Sequence, residues 1–229
     1  MSGMELKRRL VRLLASDDIE IILAELAQLP PATVLNPLFA GIVHGNETIR
    51  WHAITAMGQT VATLAAANME TARVVMRRLM WSLNDESGGI GWGAPEALAE
   101  IMACHAALAE EYAHILVSYM REDGNFLELP ALQRGVVWGV GRLARVRPQL
   151  MTNWRAGFYL LAYLESRDAA VQGLAAWAAG LLGTKEAEQP LRQLVDDERQ
   201  VRHYDNRCLV LTSVGELARQ ALQLLAARK

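Results

Sequence analysis

The chain has 229 residues, 52% of them hydrophobic, and a net charge of −2. That length can bury a sizeable core, the near-neutral charge disfavours generic nucleic-acid binding, and no run of 18 uncharged apolar residues offers a membrane span. The two cysteines, Cys104 and Cys208, lack metal-ligand or framework spacing and read as buried free thiols of a reducing cytoplasm.

In chain order the pattern is helical almost throughout. The first residues set a basic cluster before an apolar stretch, but Arg12, Asp17 and Asp18 interrupt it, so Leu6 to Ala15 reads as an amphipathic helix rather than a signal peptide. Ser16-Asp17-Asp18 caps a second helix from Ile19, and Pro30-Pro31 breaks the chain before a third over Thr33 to Val43. Asn46 precedes a helix from Ile49, and Met69 to Leu83 continues the 3.6-residue periodicity. The pattern then stops at Trp81 to Glu96, where Gly88, Gly89, Gly91 and Gly93 fall beside Asp85, Glu86 and Trp92, and a new helix opens near Pro95. Helical periods resume over Glu110 to Arg121, Gln149 to Glu165 and Lys185 to Val195, with Pro148 and Pro190 near first turns. Gln200 to Tyr204 alternates, Asp205-Asn206 is a turn pair and Arg207 to Leu211 favours strand, which predicts a short hairpin, the alternative being one continuous helix. Ser213-Val-Gly-Glu216 matches the Ser-x-x-Glu box that starts a final helix.

Within this pattern lies a repeat. Val171-Gln-Gly-Leu-Ala-Ala-Trp-Ala-Ala-Gly-Leu-Leu-Gly183 lies over Val214 to Ala226, and the same apolar frame fits Ile49 to Gly58, Ala94 to Ala103 and Leu132 to Gly141, with Ile19 to Gln28 weaker. The spacing of these copies is that of paired-helix repeats. The eighth place is small in Ala56, Gly139, Ala178 and Ala221, with Ile101 the exception. A small side chain there lets a neighbouring helix come close, which explains why these helices tolerate glycine at a cost of about 1 kcal/mol each. The expected fold class is all-α: an α-α superhelix, a solenoid of about six helix pairs, with a short β-hairpin near residues 200–211, forming one domain over residues 1–229.

Val171-Gln-x-x-Ala-Ala-Trp-Ala-Ala-Gly-x-Leu-Gly183 resembles the second helix of HEAT-like repeats of the phycobilin-lyase type, and Arg50-Trp-His-Ala and Arg134-Gly-Val-Val-Trp-Gly-Val-Gly-Arg-Leu look like further copies. The resemblance runs from Pro31 onward. It implies an architecture, since such repeats serve enzymes, scaffolds and regulators alike. It also implies that the second helix of each pair lines a concave surface. The Trp81 to Glu96 stretch is similar to a feature of bacterial HEAT-repeat proteins rather than of any particular enzyme.

The third and seventh places of the frame share one helix face. They hold Trp51 and Thr55, Glu96 and Glu100, Arg134 and Trp138, Gly173 and Trp177, then Glu216 and Gln220, with Arg142 one turn beyond Trp138. Tryptophan and arginine are enriched where partners bind. This stripe, with Asp85, Glu86 and Trp92 on its rim, is the candidate ligand or partner surface, against the alternative that the tryptophans pack between repeats and the charges pair. Glu96 and Glu100 read first as partners for Arg134 and second as a cation or acid–base pair.

No catalytic residue, metal set or cofactor is written in the chain. His44, His52, His105, His114 and His203 form no His-x-x-x-His, the glycine stretch lacks the Gly-Lys-Ser/Thr ending of a phosphate loop, and Ser87 lies in no Gly-x-Ser-x-Gly. The His-Glu dipeptides of the HEAT-repeat deoxyhypusine hydroxylases are also missing. The expected function is therefore a binding or scaffold protein holding a protein or peptide partner. The alternative is a small-ligand, tetrapyrrole-like binding or lyase-related protein. A HEAT-like DNA glycosylase, suggested by Arg134, Arg142, Arg145 and Arg147, is disfavoured by the charge balance and by Glu96 and Glu100.

Overall fold

The computed structural model describes residues 3–84 and 91–228; Asp85 and Glu86 lie outside the described residues. The chain packs as two compact units, residues 1–109 and 110–229.

In the first unit, α1 (Gly3–Leu14) turns Leu10 and Leu14 inward. Asp18 caps α2 (Ile19–Ala27), its Oδ1 accepting from the Glu20 amide at 2.9 Å and the Ile21 amide at 3.3 Å. This satisfies donors that a helix start otherwise leaves unpaired. Pro31 opens α3 (Pro31–Ile42). Asn46 caps α4 (Glu47–Ala67) through the Ile49 amide at 3.1 Å. Asn68 then ends α4 and caps α5 (Met69–Leu83), its extended backbone making the corner. α4 is buried over most of its circumference because α2, α3, α5 and α6 (Ala94–Cys104) all pack on it. Gly41 of α3 lies against Ala53 of α4, where an added Cβ would come within 2.6 Å of the alanine methyl. The close approach predicted for small residues is thus real, and it also uses glycines outside the eighth place.

The chain division falls in α7 (Ala106–Ser118). The second unit has α11 (Ala169–Leu182) at its centre, between α8 (Pro130–Val146) and α13 (Val214–Ala226). Gly180 sits against Ala221 of α13, where a Cβ would stand 2.8 Å from the Ala221 methyl. The frame read from sequence is therefore the packing order, α2 to α4 to α6 in one unit and α8 to α11 to α13 in the other.

The helix expected over Gln149 to Glu165 is two helices, α9 (Pro148–Asn153) and α10 (Ala156–Tyr163). The break is at Arg155, whose φ of 56° is left-handed and cannot continue a helix. Lys185 to Val195 likewise begins as a 3-10 turn (Lys185–Ala187) before α12 (Glu188–Leu194). The hairpin is present, longer than read: β1 (Gln200–Asp205) pairs antiparallel with β2 (Cys208–Ser213), with Asp205 opposite Cys208. Asn206 and Arg207 make the two-residue turn, both at positive φ, which matches the twist of the strands. Ser213 Oγ accepts from the Glu216 amide at 3.1 Å, while the Glu216 carboxylate bonds Arg219 and Gln220. Cys104 and Cys208 form no disulfide among the described residues, but they are exposed rather than buried as read, because one ends α6 and the other starts β2 beside the turn. No helix among the described residues is long and apolar enough to cross a membrane.

Candidate functional site

In the first unit the frame residues lie on α4 and α6. Trp51 is only 7% exposed, and Thr55 is buried with its hydroxyl donating to the Trp51 carbonyl at 3.0 Å. Glu100 is buried against Gly58, where a Cβ would come within 2.7 Å of its Cγ, and the Cys104 thiol lies 3.9 Å from its Oε1. Glu96 sits in the first turn of α6. Its residue surface is partly open, but Oε2 is sealed from solvent and has no hydrogen-bond partner among the described residues. Burial, only partly offset by its own backbone N–H and the charge of Arg50, pushes its pKa up to about 7. Trp92 stands exposed just before the helix. Gly93, at φ 76°, presses against the Ile42 carbonyl, so only glycine fits between Trp92 and α6.

In the second unit Arg134 forks onto Asp168, Nε to Oδ1 at 3.0 Å and Nη2 to Oδ2. The same carboxylate caps α11 through the Val171 amide at 3.0 Å. Burial raises the Asp168 pKa, but the Arg134 fork and the amides of Val171 and Ala170 pull it below the ordinary carboxylate range. Arg134, expected to meet Glu96 and Glu100, thus gives its fork to a helix cap instead.

Trp138 is 3% exposed and Trp177 7%. The hairpin covers them. The Trp138 indole N–H donates to the Tyr204 carbonyl at 2.7 Å, and the Trp177 ring lies 5.9 Å from the His203 ring. Arg145 donates to Asp205 at 2.5 Å and Asn206 at 2.6 Å at the turn, its guanidinium 5.5 Å from the Trp177 ring centre. Gly141 leaves room for the Trp177 ring, which an added Cβ would penetrate. Arg142 is half-buried. His203 is buried, its Nδ1 without a partner among the described residues, and burial holds its pKa below the usual histidine value. Trp138 and Trp177, read from sequence as an open partner face, are therefore packed under a strand of the same chain.

An open recess lies elsewhere in this unit, a cavity of about 670 Å³ between the 119–129 connection after α7, α10 and the start of α8. Phe126 and Phe158 stand at it 36% and 57% exposed. Tyr159 meets Phe158 edge-on at 5.3 Å. The Tyr163 hydroxyl, pushed up to about 12 by burial, donates to the Met120 carbonyl at 3.4 Å. Glu122, Asp123 and Glu165 supply carboxylates, and Arg121 lies across Tyr159. A second recess of about 350 Å³ shares Phe158 and Leu161, making Phe158 a ridge between the two. These residues were missed because they belong to first helices and connections, outside the repeat frame. The available signal was the run of aromatics at Trp154, Phe158, Tyr159 and Tyr163 in a helix that needs only one buried face.

Against known proteins, the arrangement has relatives in architecture. No protein-family model matches the sequence. An uncharacterised protein of Archaeoglobus fulgidus is 27% identical over 196 residues, 84% of this chain and 95% of the relative. Among solved structures, an engineered protein aligns at a TM-score of 0.53 and 18% identity over 96% of each chain. A designed armadillo repeat protein aligns at 0.51 and 17% over 95% of this chain and 98% of its own. The fold is that of a helical repeat protein. A further designed armadillo repeat protein, solved in complex with the peptide (KR)4, aligns at 0.51 and 17%, again over 95% and 98%. At this identity these structures establish the fold alone.

Proposed function

We propose that this chain is a binding module whose second unit holds a segment of a protein or peptide partner. The observation that carries the reading is the 670 Å³ cavity with Phe126 and Phe158 exposed at it. Exposed aromatics at a concave site with a few placed polar groups are what partner pockets are made of. The solenoid kinship supports it, since repeat arrays present extended binding surfaces and one structural neighbour was solved with a peptide bound. Of the residues read from sequence as the candidate partner surface, Trp92 and Glu96 in the first unit, and Arg134 and Arg142 in the second, keep surfaces that are at least partly open. They are proposed as secondary contacts. The finer kinship to phycobilin-lyase repeats and a cytoplasmic location, consistent with two cysteines outside any disulfide, belong to the same proposal.

The test is a panel of labelled octapeptides read by fluorescence polarisation. Peptides that bind should lose about tenfold or more in affinity with Phe126→Ala/Phe158→Ala, as expected when aromatic anchors are truncated. They should keep it with Trp81→Ala, which removes an exposed aromatic outside the cavity. Equal loss in both variants sinks the assignment.

A second reading, a small apolar ligand of tetrapyrrole type, is favoured by the cavity volume, which lies in the usual range for small-molecule sites. Titration with a free bilin, followed by its absorbance, separates the two: an unchanged spectrum dismisses the small-ligand reading.

A further inference from the structure

This inference rests on the cavity of the second unit being the partner site. Its three carboxylates are not equivalent. Asp123 is already engaged by Arg121, Nε to Oδ1 at 3.0 Å and Nη2 to Oδ2 at 2.8 Å. Glu122 and Glu165 make no ion pair among the described residues. The aromatic side of the cavity offers Phe126, Phe158 and Tyr159, and the Arg121 guanidinium lies 5.4 Å from the Tyr159 ring centre.

Ionised carboxylates only accept hydrogen bonds. An aromatic face carries negative potential. A planar, weakly hydrated cation satisfies both at once, stacking on the ring while its N–H groups fork onto a carboxylate, and guanidinium does this better than ammonium. An aliphatic or acidic side chain would instead leave Glu122 and Glu165 dehydrated without a partner, which is costly. Arg121 shows the arrangement already built once inside the cavity, from within the chain.

We propose that the cavity takes an arginine side chain from an extended segment of a protein partner, with Glu122 and Glu165 as its carboxylates and Phe158 as its aromatic ridge. Arg121 is an internal placeholder that competes for Asp123 and Tyr159.

The experiment uses the full chain and a fluorescein-labelled peptide of four Leu-Arg repeats. Its counterparts carry citrulline, the neutral isostere, or glutamate in place of arginine. The arginine peptide binds, and the citrulline and glutamate peptides bind at least about tenfold more weakly, the scale of a lost charge-assisted pair. Glu122→Gln/Glu165→Gln weakens the arginine peptide by about tenfold and flattens its salt dependence. Arg121→Gln tightens it by roughly two- to fivefold, the scale of an exposed cation–π contact set free. A merely structural Arg121 would predict the opposite sign. All these positions are at the surface, so the variants should keep the parent melting curve.

Citrulline and arginine peptides binding alike, both weakened by Phe158→Ala, overturn the arginine assignment while the cavity reading stands. Arginine-peptide binding that ignores Phe126→Ala and Phe158→Ala overturns both. Looser or unchanged binding by Arg121→Gln overturns the placeholder, and no binding of the arginine peptide at millimolar concentration overturns the inference outright.

Discussion

Glu96 and His203 are the two residues whose charge is least at home in its surroundings, and they respond to pH in opposite directions. The folded Glu96 pKa is raised from 4.5 to about 7. Its protonated form is favoured by folding, so its contribution is complete below pH 4.5 and is lost as pH rises through about 7. The folded His203 pKa is lowered from 6.5, first by burial and then by Arg145, with Asp205 opposing. The unfolded chain then binds the proton more readily, so the His203 contribution is complete above 6.5 and fades as pH falls below it. Thermal melts from about pH 5 to pH 8 separate the two. Glu96→Gln should raise Tm relative to the parent at pH 8 and lose that advantage at pH 5. His203→Gln should gain relative to the parent as the pH is lowered. Parallel curves for parent and Glu96→Gln would mean that Glu96 is solvated. Sequence singled out Glu96 only as one of a carboxylate pair, read first as a partner for Arg134 and second as a cation or acid–base pair; its burial was not legible, and the histidine lacked any motif.

At the scale of elements, capping is the feature best read from the chain. Asp18, Asn46 and Ser213 stand where sequence put them, because a cap is a local exchange between a short polar side chain and amides two or three residues on. Asp168 goes further, joining the start of α11 to Arg134 of α8. Asp168→Ala should cost about 1–2 kcal/mol, the loss of a cap plus a fork. That corresponds to a Tm lower by a few degrees for a unit of this size. Arg134→Ala should cost less, and the double variant should be clearly subadditive, because Asp168 serves both contacts. Additive losses would show that cap and fork are independent. The break in the Gln149–Glu165 helix was not readable. Nothing local demands the left-handed Arg155, which lies over the Phe158 ring at 4.9 Å; packing chose it.

Across the whole molecule, charge is spent internally. Of the basic cluster noted in sequence, Arg134 pairs with Asp168 and Arg145 with Asp205. With a net charge of −2 and these two arginines engaged, the cluster is poorly placed to release counterions from a phosphate backbone. Labelled duplex DNA should therefore not be retarded at about 0.15 M salt, the physiological ionic strength. Retardation that persists there would revive the glycosylase alternative.

Sequence by itself determined the helices, their order of stacking and the hairpin, because each rests on short-range rules: a 3.6-residue apolar period, a polar cap, a two-residue turn, a small residue where helices touch. It also put Trp138 and Trp177 at equivalent places of one repeat frame, and read their face as an open partner surface. What covers that face only the tertiary structure decided. Tyr204 meets Trp138 across 66 positions of chain, and no periodicity within α8 or α11 records the approach of so distant a strand. For the same reason the cavity beside Phe158 was invisible: its walls come from a helix end, a connection and a kinked helix, each unremarkable alone, and only their packing leaves aromatic faces and unpaired carboxylates around one open space.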